Sequence, residues 1–193
     1  MKIGLIPLFI LLLLTACKKD LNSCKEYTEK KGRLGGIDIS AVTDPAMRDT
    51  LAKYPQLEVY QAQNNAVSTS MNCRLYYQNL PVFADEYSLF RNKNVDTLSQ
   101  FGSILTTSLS ISLSPSVKIE DAVKEARHSI NLDRSCITYQ LGLFNKNRWQ
   151  SNTPNYRLAW RISDSQSDYL YAIIDAQDNT LLYNEGYGVY WLN

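Results

Sequence analysis

Histidine is almost absent from this chain: among 193 residues there is only His128. That excludes a His-x-x-x-His zinc site and any multi-histidine metal centre. A serine or cysteine triad would have to be built on that single ring. Excess charge is missing as well. Twenty Lys+Arg oppose nineteen Asp+Glu, for a formal net charge of +1. Such a chain has no field to gather nucleic acid or anionic lipid, so neither is expected as a partner. Glycine is scarce at eight residues, and neither a glycine-rich phosphate loop nor a Gly-x-Ser-x-Gly elbow occurs. Long apolar runs are lacking too. The run Ile3–Leu14 falls well short of the roughly 20 residues that cross a bilayer as a helix. What is plentiful is aromatic: Tyr 13, Phe 5 and Trp 3.

The short apolar run has a different meaning. Lys2 precedes it and Leu14-Thr15-Ala16-Cys17 follows, the order of a secretory signal. The last four residues resemble the bacterial lipoprotein box. There, small residues fit a narrow peptidase pocket and the cysteine thiol receives diacylglycerol. Residues 1–16 are therefore expected to be removed and Cys17 to be lipidated. The acyl chains would hold the protein on an envelope membrane, each buried methylene adding about 0.8 kcal/mol. Residues 17–42 are polar and rich in Lys and Glu, which reads as a tether. Similar openings occur in lipoproteins of Bacteroidetes-type bacteria. Asp20 alone matches their acidic export signal, which leaves both the periplasmic face and the outer surface open.

Lipidation leaves Cys24, Cys73 and Cys136, so at most one internal disulfide can form. Cys73 alternates with Leu75 and Tyr77 and is expected to point inward. Cys136 alternates with Thr138 and Gln140 and is expected to point outward, which argues against a Cys73–Cys136 bond.

Thr43-Asp44-Pro45 opens a short capped helix that ends at Pro55. Strand patterns follow: LEVYQAQ, NCRLYYQ, PVFADEYSLF and a long TLSQFGSILTTSLSISL. In the last of these, Leu109, Ile111 and Leu113 alternate with Ser. The segment VKIEDAVKEARHSI places Ile119, Ala122, Val123, Ala126 and Ile130 on one helical face, with Glu120 and Asp121 near the N-terminus. His128 lies off that face and is expected in solvent. Three strands and a closing NTLLY follow, with Asn179 suited to a left-handed turn. Asp85 and Glu86, as strand neighbours, should face opposite ways. Asp164–Asp168 lacks the glycine and distal glutamate of a calcium loop and reads as a polar hairpin.

Two stretches resemble known modules. Arg74-Leu-Tyr-Tyr-Gln-Asn-Leu-Pro81-Val-Phe-Ala-Asp85 is similar to the short propeptide module of fungalysin- and thermolysin-type proteases. Ile119-Glu-Asp-Ala-Val123, Tyr156-Arg-Leu-Ala-Trp160-Arg-Ile162 and Tyr171-Ala-Ile-Ile-Asp175-Ala176 resemble, in that order, a PepSY domain. Two family glycines are replaced, by residues around Asn79 and by Asn179. The catalytic His-Glu-x-x-His of those proteases does not occur. The resemblance implies an α+β fold of antiparallel β-sheets, each packed by a helix, as two PepSY/cystatin-like subdomains spanning residues 43–114 and 115–193. It implies a non-enzymatic, lipid-anchored envelope protein that inhibits or chaperones a secreted protease in trans. The alternative is an envelope interaction or ligand-binding module unrelated to proteases. No catalytic residue, metal site or cofactor is expected. An apolar groove between the subdomains, ringed by Tyr187, Tyr190 and Trp191, would be the mark of a binding module. Those three aromatics otherwise read as a last strand packing on the sheet.

Overall fold

The computed structural model describes residues 27–130, 132, 136–148, 153–165 and 167–185. Residues 1–16, expected to be removed as a signal, and Cys17, Cys24, Tyr187, Tyr190 and Trp191 lie outside the described residues. In chain order the elements are β1 (Thr28–Glu29), a 3₁₀ turn (Ile39–Ala41), α1 (Pro45–Lys53), β2 (Leu57–Asn64), β3 (Ser68–Tyr77), β4 (Leu80–Asn92), β5 (Thr97–Phe101), α2 (Ile119–Ser129), β6 (Ile137–Asn145), β7 (Tyr156–Asp164), β8 (Ser167–Asp175) and β9 (Leu181–Glu185).

Local chemistry accounts for most of these elements. Asp44 caps α1, accepting from the Met47 amide at 3.1 Å with Pro45 in the first turn, and Met47 and Leu51 are buried. In α2, Ala122, Val123 and Ala126 are buried against the C-terminal strands, and Glu120 and Asp121 sit in the first turn. The β3–β4 hairpin turns on Gln78 (φ 49°) and Asn79 (φ 68°). Two left-handed central residues make a type I′ turn, whose twist matches the flanking strands. Asn179 also takes the left-handed region (φ 62°), as its turn requires. At both places residues other than glycine take the left-handed backbone.

The expected pair of sheets is a single one. Among the described residues the order is β2-β3-β4-β6-β7-β8-β9, with β5 added to β4 and β1 to β6, nine strands in all. The sheet is mostly antiparallel, but β4 and β1 both run parallel to β6. One core cluster runs from Met47, Leu51 and Cys73 through Leu143 to Ile162, Ile174 and the buried face of α2. The two halves therefore share both a sheet and a core.

β4 makes the join. Its later residues pair with β3 up to Arg74↔Glu86, and pairing resumes only at Tyr76↔Pro81. The intervening stretch bulges out, and Val82 and Phe83 pair with Leu143 and Phe144 of β6 instead. Gly142 fits this seam because it lacks a side chain. A Cβ there would stand 2.5 Å from both the Phe83 Cζ and the Pro81 carbonyl oxygen.

The long strand expected after residue 97 is also corrected. β5 stops at Phe101, Gly102 turns with φ 95°, and residues 102–118 are irregular. The alternation survives without a strand: Leu109, Ile111 and Leu113 are half-buried against the core and the serines between them are exposed. Apolar spacing records burial, and burial does not require a ladder of backbone hydrogen bonds.

Candidate binding cleft

The seam also carries a depression lined by charged and polar side chains. Tyr60 and Arg74 contribute from the N-terminal half, and Gln140, Arg161 and Tyr171 from the C-terminal half. Pro81–Glu86 of β4 lie between them, with Lys30 and Leu34 along the rim, around a cavity of about 330 Å³. Ala84 stands in it with φ 64°, a conformation that costs a non-glycine residue on the order of 1 kcal/mol. Asp85 and Glu86 both line the cleft, but their carboxylates part as strand neighbours should: Asp85 accepts from Tyr156, which packs on the main core, and Glu86 accepts from Tyr60 on the other side.

Each half supplies an arginine stacked on a tyrosine. The Arg74 guanidinium lies 4.7 Å from the Tyr60 ring centroid and that of Arg161 lies 4.4 Å from Tyr171. Stacking uses the face of the guanidinium, whereas hydrogen bonding uses its edge, so one contact orients the group for the other. Arg74 is also 3.6 Å from the nearly buried Glu58 carboxylate. The Tyr60 hydroxyl donates to Glu86 at 3.0 Å. Burial, and then that hydrogen bond, raises the Tyr60 pKa. Tyr171 is raised as well, first by burial and then by its hydrogen bond to Glu185.

Asp85 sits deeper. Burial raises its pKa, against the opposing pull of Arg148 at 3.9 Å and the Tyr156 hydroxyl at 3.2 Å. Tyr156 is in turn pushed up to about 12 by burial and by the Asp85 charge. The cleft thus mixes cations, carboxylates and tyrosine rings. The purely apolar groove expected between two subdomains is not what the seam forms, because the bulge of β4 and the open face of β3 bring polar side chains to it.

The N-terminal segment crosses the seam. The Lys30 amide donates to Tyr139 O at 2.8 Å, Gln140 Nε2 to Gly32 O at 3.3 Å, and the Leu34 amide to the Tyr76 hydroxyl at 3.2 Å. The Ile37 amide then reaches Val59 O at 2.7 Å. From residue 27 onward the stretch read as tether is laid down as a strap from β6 to β2.

The PepSY-like residues hold the fold together around α2. Asp175 Oδ1 accepts from the Gln177 amide at 2.8 Å, and Arg157 approaches Oδ2 at 2.8 Å as an ion pair outside hydrogen-bond alignment. Ala176 O accepts from the amides of Ser116 and Val117, and the Trp160 indole donates to Val117 O at 3.2 Å. The hairpin therefore grips the chain as it enters the helix. His128 is exposed on α2, beside Glu120, Lys124 and Arg127. Cys73 is a fully buried free thiol, its pKa pushed up to about 12 by burial, as its strand position implied. Among the described residues no group of three or more His, Cys, Asp or Glu is placed to hold a metal ion. No helix among them is long and apolar enough to cross a membrane.

Arg161, Tyr60 and Tyr171 carry no local signal of a site. They meet through strand pairing between distant segments, and only the Tyr/Arg-rich composition of those strands hints at it. Comparison with known proteins is sparse. No family profile and no curated protein matches the chain. Among solved structures it is distantly similar to the C-terminal domain of YpeB from Bacillus megaterium. The TM-score is 0.43 at 10% identity, over 81% of this chain and 68% of that one.

Proposed function

We propose that this is a non-enzymatic envelope protein, held to a membrane by lipid on Cys17, that receives a segment of a partner protein in the seam cleft. The partner class implied by the propeptide-like residues Arg74–Asp85 is a secreted protease, inhibited or chaperoned in trans. One observation supports the cleft as the contact surface: Arg74 and Arg161, from opposite halves of the sheet, are each oriented by a tyrosine ring at its edge. Arginine and tyrosine are the residues most enriched at the energetic centres of interfaces, since each offers a large rigid surface with directed hydrogen bonds. Carboxylates and backbone carbonyls of an extended peptide are the acceptors such a pair suits.

The test uses residues 18–193 as soluble protein, added to proteases secreted by the producing organism. Proteolysis of casein should slow with increasing protein. The Arg74→Ala/Arg161→Ala variant should need about tenfold more for the same effect, equivalent to about 1.4 kcal/mol. If none of the secreted proteases slows, the protease assignment fails. If the double variant inhibits as well as the parent, the cleft assignment fails.

A further inference from the structure

The face of β2–β5 that turns away from the core carries no charge over most of its length. Strand register sets Gln61, Asn72, Ser88 and Phe101 side by side across the four strands. The next row holds Gln63 and Phe90, with a serine on either side of the phenylalanine. The row beyond places Asn92 between a serine and a threonine. Ionisable side chains begin only in the row of Arg74 and Glu86, at the margin of the cleft. Charged residues make up 20% of the chain, and an exposed sheet face ordinarily uses them to stay soluble and unpaired. Here they give way to amides, hydroxyls and two open rings, Phe101 at 59% and Phe90 at 37% exposure.

The central row is wired for hydroxyl groups. Ser88 Oγ donates to Asn72 Oδ1 at 2.9 Å, and Asn72 Nδ2 donates to Gln61 Oε1 at 3.1 Å. This relay holds the three side chains in line. It leaves the Gln61 amide nitrogen to donate at one end and the Ser88 oxygen to accept at the other. Phe101 continues the row on β5, and Phe90 stands diagonally from it on β4, at a spacing of about 7–8 Å.

A surface of this make-up selects among partners. Nucleic acids and anionic polymers need cations, which these rows do not supply. Protein interfaces are depleted in serine and centre on Trp, Tyr and Arg, none of which stands in these rows. A sugar ring suits both parts of the chemistry. Its hydroxyls donate and accept as amides and serines do. Its C–H groups carry slight positive charge and lie favourably on the negative face of an aromatic ring. We propose that this face binds an uncharged glycan chain, its rings stacked on Phe90 and Phe101 and its hydroxyls bonded along Gln61, Asn72 and Ser88. The site is separate from the seam cleft and does not depend on the protease reading.

The test is affinity electrophoresis of the full chain in native gels containing hydroxyethyl cellulose, laminarin, galactomannan or glycol chitin. A polyoxyethylene detergent keeps the protein in solution without adding a sugar head group. At least one of these neutral polymers should retard the protein. The Phe90→Ala/Phe101→Ala variant should bind that polymer about tenfold or more weakly, with its urea midpoint unchanged because both rings are exposed. The Arg74→Ala/Arg161→Ala variant should bind it as the parent does. Absence of retardation by any of the polymers would overturn the proposal, and so would retardation that survives loss of both rings. Loss of binding in the arginine variant alone would place the sugar in the cleft and overturn it as well. A parent that sediments as a dimer, beside a phenylalanine variant that sediments as a monomer, would make the face a contact between copies instead.

Discussion

The two halves of the sheet differ in what their second face does. In the N-terminal half, one face packs Met71, Cys73, Leu75 and Leu89 into the core with α1. The other carries a polar ladder in which Asn72 donates to Gln61 at 3.1 Å and Ser88 to Asn72 at 2.9 Å. In the C-terminal half, Leu158, Trp160, Ile162, Ala172 and Ile174 share the core with α2. The residues between them, Ala159 and Ile173, are also fully buried, in a second cluster with Phe83 and Phe144. The second face is therefore largely polar in the N-terminal half, although Tyr76 and Glu58 are buried there, and apolar around Ala159 and Ile173 in the C-terminal half. The cleft lies where the two regimes meet, at the bulge of β4. A chain that must switch from an apolar to a polar second face has to bring charged side chains to the edge of a dry surface, where their interactions are strongest.

The contrast can be broken most severely at the seam. Gly142→Leu should cost about 4 kcal/mol or more, because the Pro81 carbonyl facing the new Cβ is backbone and cannot swing aside. Urea denaturation would show it as a collapsed midpoint or a protein that does not fold. Next comes a matched pair on the second faces of the two halves. Ile173→Ala, at full burial, should cost about 2–5 kcal/mol. Asn72→Ala should cost about 1 kcal/mol or less, since its partners regain water. Equal losses in the two variants would erase the distinction between the halves.

The smallest expected effect concerns pH. The folded-state pKa of Asp85 is raised by burial, so the native state holds its proton where the unfolded state has released it. Stability contributed at this position is present below the unfolded value and lost as pH rises through the folded one. Asp85→Asn should therefore gain stability relative to the parent as pH moves from acid to neutral. Thermal melts of both proteins across that range would show the opposite trend if Arg148 and Tyr156 outweighed burial.

Much of this architecture is legible in the sequence, and the limits have physical causes. α2 is legible because its apolar residues recur at helical spacing, and the turn at Asn179 because few residues accept left-handed backbone. The inward Cys73 follows from simple alternation. The merging of two expected sheets into one is not legible, since it rests on a short parallel pairing, Val82–Phe83 against Leu143–Phe144, between segments sixty residues apart. The ending of β5 at Gly102 was hidden by an alternation that packing alone maintains. The cleft was legible only in part. Arg74 lies in the propeptide-like stretch, but its counterpart Arg161 is brought opposite by the same long-range pairing.

Whether a partner binds at the seam can be measured directly. Amide hydrogen exchange of residues 18–193, with and without a secreted protease that it slows, locates the contact directly. Slower exchange is expected in the bulge of β4 at 82–86, in the strap around residues 30–34, and near Gln140 and Arg161. Protection confined to α2 and β9, with the seam unchanged, would contradict the account.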